Sequence, residues 1–288
     1  MGFTKMHGLG NDFILIADLG GEVELDEAAV RWFCDRHFGV GADGLILLRP
    51  PTVPDADLSM LYRNADGTTA EMCGNGARCF AKYAAERDII ARESRLIRVQ
   101  TLGGVREVTL QRDALGDVES ATVDMGVPRL HPEEIPSTLP GEQVFECPIE
   151  TAAGTFEVTA VNMGNPHAVV WVDDVDEAPV ETVGPLIETH EVFPERTNVE
   201  FAQVVEGPEG PERILLRVWE RGVGETMACG TGACATLVAS VLACLTGRES
   251  VVEVPGGELV VRWAEDEHVY LTGPAEEVFS GVVRVPEG

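Results

Sequence analysis

Short apolar runs and period-two alternation dominate this chain, and long helical stripes are few. Candidate strands lie at Phe13 to Ala17, Leu58 to Arg63 with alternating apolar positions, Leu96 to Thr101, Val105 to Gln111, Phe156 to Val161, Ala168 to Val172, Ile214 to Trp219 and Glu258 to Trp263. Asp26 is placed to cap a helix whose apolar face is Val30, Phe33 and Cys34 and which stops near Gly39. After Cys73, residues Ala77, Phe80, Ala81 and Ala84 recur at i, i+3, i+4 and i+7, one face of a second helix. The stretch from Ala233 to Leu245 is apolar almost all round, which predicts a buried helix with Cys229 at its N-terminal end, pointing out of a core into a cleft. The tail from Pro274 to Val285 reads as a last strand. Together these predict a β-rich mixed fold.

The two helices are announced by the same phrase, Cys73-Gly74-Asn75-Gly76-Ala77 and Cys229-Gly230-Thr231-Gly232-Ala233. The likeness extends further. Asn11 and Asn165, and Gly44 and Asn198, stand 154 residues apart, while Asn64 and Glu220, and Cys73 and Cys229, stand 156 apart. Four pairs at nearly one spacing imply an internal duplication, with the chemically distinctive residues of each half at corresponding positions. A cluster of Pro and Gly from Gly126 to Pro140 marks the junction, and a boundary is expected near residue 125.

Composition narrows the function classes. At 288 residues each half is large enough to bury its own core. A net charge of −28 argues against nucleic-acid binding, and the acidic residues are dispersed as a solvated surface would have them. The sequence offers neither an apolar stretch long enough to span a bilayer nor a basic-then-apolar leader, so a cytoplasmic protein without membrane partners is expected. Seven cysteines without a Cys-X-X-Cys pair suit reduced thiols, not a disulfide framework or a zinc site, and Cys34, Cys147 and Cys244 read as core residues. Lys5 and Lys82, the only lysines, lie in no phosphate-binding context that a pyridoxal enzyme would need.

A cysteine followed by Gly-X-Gly at a helix start has its sulfur beside unbonded backbone N–H groups and the positive end of the helix dipole, an arrangement that favours thiolate. One such phrase reads equally as a tight turn into a helix. Two copies in a duplicated chain imply paired roles: a thiolate removes a proton from one face of a stereocentre and a thiol returns one to the other. The N–H groups of Gly74, Asn75, Gly230 and Thr231 suit the negative charge that develops, without metal or cofactor. A redox sensor joining Cys73 to Cys229 is the non-enzymatic alternative.

The motifs Lys5-Met6-His7-Gly8-Leu9-Gly10-Asn11-Asp12-Phe13, Arg63-Asn64-Ala65-Asp66-Gly67, Glu71-Met72-Cys73-Gly74-Asn75-Gly76-Ala77-Arg78-Cys79, Met163-Gly164-Asn165-Pro166-His167, Arg196-Thr197-Asn198 and Glu220-Arg221-Gly222 through to Ala233 closely resemble the diaminopimelate epimerase family over almost the whole chain. The resemblance implies an α+β (mixed α/β) fold of two pseudo-symmetric domains, each a curved sheet wrapped around a central helix, with the active site in the cleft between them. It also implies a last strand returning to the first domain, giving domains 1–124 plus 275–288 and 125–274. The implied activity is cofactor-independent interconversion of LL- and meso-diaminopimelate by a homodimer. Cys73 and Cys229 are then acid and base, and Asn11, Asn64, Asn165, Asn198, Glu220 and Arg221 hold the substrate, with Arg221 on the distal carboxylate. His167 and Glu220 tune the thiols. Where many members of the family carry Gln, this chain has Gly44, which offers no side chain. Proline racemase and the phenazine-type isomerases share the two-domain plan, but the asparagine set and the Glu-Arg pair suit a substrate polar at both ends.

Overall fold

The computed structural model describes residues 1–207 and 210–285. The chain forms two compact units, Met1–Asp124 with Thr272–Gly288, and Met125–Leu271. The first contains β1 (Gly2–Gly8), β2 (Asn11–Ala17), α1 (Glu27–Cys34), β3 (Gly44–Arg49), β4 (Leu58–Asn64), α2 (Gly74–Glu86), β5 (Leu96–Thr101), β6 (Gly104–Arg112) and β7 (Val118–Asp124). The second contains β8 (Cys147–Thr151), β9 (Gly154–Asn162), β10 (Pro166–Trp171), α3 (Val180–Glu188), β11 (Asn198–Gly207), β12 (Gly210–Glu220), β13 (Gly224–Thr226), α4 (Gly230–Leu242), β14 (Glu249–Val254) and β15 (Gly257–Trp263). The chain returns to the first unit along β16 (Val269–Pro274), and β17 (Glu276–Val282) then pairs antiparallel with β1.

Each unit repeats one order of strand pairing. From β1 to β6 the neighbours run antiparallel, parallel, antiparallel, parallel, antiparallel. From β9 through β10, β11, β12 and β14 to β15 the order is the same. The sheet of each unit curves around one helix: α2 touches β1, β2, β3, β4, β6 and β7, and α4 touches β9, β10, β11, β12, β14 and β15. On the other face of the first sheet, Val30 and Phe33 of α1 pack on Ile14, Ile16, Leu45 and Leu47. Strand β3, Gly44-Leu45-Ile46-Leu47-Leu48, is therefore covered on both faces, which is why it reads as an unbroken apolar run without alternation.

The helices depart from the sequence expectation at their ends. Asp26 caps α1 as expected, Oδ1 accepting from the Ala29 N–H at 2.8 Å, but the helix ends at Cys34, short of Gly39. Asp35 takes extended backbone and its Oδ1 accepts from the His37 and Phe38 amides, a local turn that competes with a further helical turn. Helix α4 starts at Gly230 and stops at Leu242, three residues earlier at each end than the apolar run. Its stop is a Schellman arrangement: Cys244 is left-handed (φ 57°), its amide bonded to Val241 O, while the Leu245 amide bonds to Ser240 O. Cys244 is consequently exposed and Cys147 half-buried, correcting the expectation that both are core residues, whereas Cys34 is buried. Helix α3 has no counterpart in the sequence reading, because Gly184 and Pro185 break its pattern. Burial of Val180, Val183 and Ile187 in the core of the second unit outweighs that local cost.

Two buried thiols of the first unit make the fold alkali-sensitive. Burial pushes Cys34 and Cys79 each up to about 12, against 9.0 for an ordinary thiol. The native state thus keeps protons that the unfolded chain releases, so stability is full below pH 9 and falls as pH rises from 9 through 12. The urea midpoint of the wild type is expected to drop more steeply over that range than that of a Cys34→Ala/Cys79→Ala variant, and parallel curves would refute it.

Candidate active site

Cys73 and Cys229 occupy the same place in their units. Each is the N-cap of the central helix in extended backbone, with Sγ accepting from the amide three residues on, Gly76 or Gly232, at 3.4 Å. The Gly-X-Gly that follows is explained by crowding: a Cβ on Gly76 would lie 3.0 Å from Ile46 Cδ1, and one on Gly232 would lie 2.8 Å from Glu200 Oε1 and 3.3 Å from Cys229 Sγ. Gly74 and Gly230 open the two helices, Asn75 is buried in the first turn of α2, and Thr231 Oγ1 stands 3.5 Å from Cys229 Sγ.

In the first unit the hairpin between β1 and β2 delivers Asn11. Its two-residue loop, Leu9 (φ 57°) and Gly10 (φ 87°), is left-handed throughout, as the twist of a tight hairpin requires. Asn11 Oδ1 receives the Asn75 amide at 3.1 Å and lies 3.9 Å from Cys73 Sγ, while its Nδ2 donates to Asp43 at 2.9 Å. Behind it stands a charge cluster that the sequence reading missed. Arg36 forks onto Asp12 and Asp43, and Lys5 Nζ lies 2.8 Å from Asp12. Burial alone would raise the Asp12 carboxyl, but the hydrogen bonds from Arg36 and Lys5 prevail and lower it to about 2.

Phe13, Gly44 and Asn64 share one register row across β2, β3 and β4. Asn64 Nδ2 donates to Thr68 Oγ1 at 2.9 Å. A Cβ on Gly44 would lie 2.4 Å from Tyr62 Cε2 and 2.8 Å from Arg63 O, so the Tyr62 ring fills the space a side chain there would need. That ring stands edge-on to Phe13, centroids 5.8 Å apart.

In the second unit the equivalent row is His167, Asn198 and Glu220: His167 pairs with Asn198, and Val199 faces Trp219, which sets Asn198 level with Glu220. Asn165 Oδ1 lies 2.9 Å from His167 Nε2. The Asn198 carboxamide braces the backbone, donating to Pro166 O at 2.7 Å and accepting from the Arg221 amide at 2.9 Å. Glu220 Oε1 accepts from the Thr226 hydroxyl at 2.6 Å, and the exposed Arg221 guanidinium reaches Glu195 O at 3.1 Å. Glu200, absent from the sequence reading, is fully buried with Oε1 2.7 Å from His167 Nδ1. Its one signal was a charge set between the apolar residues Val199 and Phe201.

The chemistry of Cys229 corrects one expectation. Burial first, then the carboxylate of Glu220, push its thiol well above the ordinary value, against the Thr231 hydroxyl and Gly232 amide. Desolvation outweighs the helix N-terminus, so in the ligand-free protein Cys229 is a thiol and not a thiolate. Among the described residues no group of three or more His, Cys, Asp or Glu side chains is placed to hold a metal, and no helix is long and apolar enough to cross a membrane.

Two units of one pairing order are a fold that this chain shares with solved structures. A probable proline racemase from Agrobacterium radiobacter K84 superposes with a TM-score of 0.73 at 16% identity, covering 99% of this chain and 93% of the other. The diaminopimelate epimerase family model matches residues 3–131 and 159–278. Similar relatives named diaminopimelate epimerase come from Pelotomaculum thermopropionicum, 54% identical with 98% of each chain covered, and Methanococcus maripaludis, 44% identical with 99% of this chain and 100% of the other covered. The chain belongs to the diaminopimelate epimerase family.

The crowding at Gly44 is directly testable. Gly44→Ala is expected to cost about 1–3 kcal/mol by overpacking against Tyr62. In thermal unfolding, Gly44→Ala/Tyr62→Val should lose clearly less than the sum of its single changes, and strict additivity would show that the two positions do not meet.

Proposed function

We propose that the chain interconverts LL- and meso-diaminopimelate, with Cys73 and Cys229 as the two acid–base groups. The observation carrying this reading is the duplicated cysteine N-cap in a member of this family. A thiolate takes the α-hydrogen as a proton, leaving the electron pair on carbon beside the carboxylate, and the other thiol supplies a proton to the opposite face. The reverse reaction exchanges the roles. With its proton held tightly by burial, Cys229 rests as the thiol in the ligand-free state. Helix N-terminal amides at Gly74, Asn75, Gly230 and Thr231 stabilise the carbanion's charge. Asn11, Asn64, Asn165, Asn198, Glu220 and Arg221 hold the polar ends of the substrate, Arg221 through a fork onto the distal carboxylate. His167 and Glu220 tune the thiols. The reaction requires no cofactor, and the enzyme works in the cytoplasm as a homodimer. Val278, Phe279 and Val282, exposed on β17, support an association between copies.

Cys73→Ala and Cys229→Ala should each lower LL-to-meso turnover by roughly 10²–10⁴-fold, the usual contribution of a positioned acid or base. In D₂O the wild type should exchange the substrate α-hydrogen, whereas a redox sensor would leave it in place; retained turnover in either variant would remove the two-base reading. In sedimentation, the wild type is expected at twice the chain mass and Val278→Glu at the chain mass, and a monomeric wild type would reject the dimer.

A further inference from the structure

A buried ionisable pair stands beside the N-terminus of α4, and the two-thiol step does not use its protons. His167 and Glu200 lie on the parallel neighbours β10 and β11, both side chains fully buried and 2.7 Å apart. At the corresponding positions of the first unit, 154 residues earlier, stand Phe13 and Ile46, both fully buried. Packing of this frame therefore needs no charge here, and the pair is an addition specific to the second unit.

Its proton count follows from its neighbours. Asn165 Oδ1, 2.9 Å from His167 Nε2, can only accept, so Nε2 carries a hydrogen. Nδ1 then either accepts from a carboxylic acid or, in an imidazolium, donates to a carboxylate. Glu200 Oε2 has no hydrogen-bond partner among the described residues, and an ion with one oxygen buried and unpaired is far costlier than the neutral acid. The other titratable groups facing this corner are Glu220 on β12 and Cys229 at α4, and neither brings a positive charge that would hold an anion here. Burial also raises the Glu200 carboxyl, outweighing the His167 ring and the Ala168 amide.

We propose that Glu200 is a positioning residue held as a carboxylic acid: its O–H donates to His167 Nδ1, fixing the neutral Nε2–H tautomer. That tautomer turns Asn165 Oδ1 to the ring and leaves Nδ2 as a donor for a carboxylate of the substrate. The substrate half of the proposal rests on the epimerase reading.

The test uses the ¹⁵N-labelled, ligand-free full chain, with the His167 signals assigned by their loss in His167→Gln. The ring should be neutral and Nε2-protonated at pH 7 in the wild type and in Glu200→Gln, whose amide donates the same bond. Glu200→Leu should show mixed tautomers. In turnover, Glu200→Leu should raise KM for diaminopimelate about tenfold with kcat within about threefold, and Glu200→Gln should stay within about twofold of the wild type on both. An imidazolium signature in the wild type at pH 7, or a KM loss in Glu200→Gln equal to that in Glu200→Leu, overturns the proposal. If Glu200→Leu does not fold, the tautomer in Glu200→Gln decides. Absent turnover in the wild type would sink the epimerase reading, while the tautomer would still decide this one.

Discussion

The sulfur that caps a helix is the interaction on which the site depends. Backbone amides at a helix start need acceptors, and in both units a cysteine Sγ meets the amide three residues on at the same 3.4 Å. That contact ties the sulfur to the central helix of its unit, which is held in place by packing against its own sheet. A second consequence is electrostatic. The cap brings the sulfur to amide dipoles, but the packing that holds it also strips it of water, and at Cys229 desolvation prevails.

The two units keep one frame and differ in what they place on it. Beside the α2 cap lie Phe13 and Ile46, while beside the α4 cap lie His167 and Glu200. In the same row as Phe13, Gly44 lies against a large neighbour, Tyr62, where the corresponding positions of the second unit hold Asn198 and Val218. Small and large exchange places at constant space, as close packing demands of a duplicated core. The duplication thus conserves the position of the thiols and lets their surroundings diverge. For a reaction that needs one thiolate and one thiol, unequal surroundings are an advantage: like sites would bias both sulfurs toward the same protonation state.

Much of this was legible in the residue string, because it is written in local patterns. Alternation marked β4, i, i+3, i+4 spacing marked α2, and the repeated Cys-Gly-X-Gly-Ala located both caps and the duplication. Helix α3 was hidden because its residues are poor helix formers that gain stability only on contact with Val199, Phe201 and the rest of their core. The ends of α1 and α4 were misplaced because Asp35 and Cys244 stop them through turn geometry, a choice the apolar pattern does not encode.

The sequence by itself determined the class of chemistry: residue type and spacing along the chain select which backbone groups a side chain can meet within a few positions, and a cysteine at a helix start is such a case. Tertiary structure alone decided which groups share a low-dielectric space. Asp12 with Arg36, Tyr62 over Gly44 and Glu200 against His167 are separated by 24, 18 and 33 residues and meet only when strands adopt their register. Protonation follows from that meeting, since the energy of a charge depends on the water it loses and the partners it gains, neither of which is a property of the chain order.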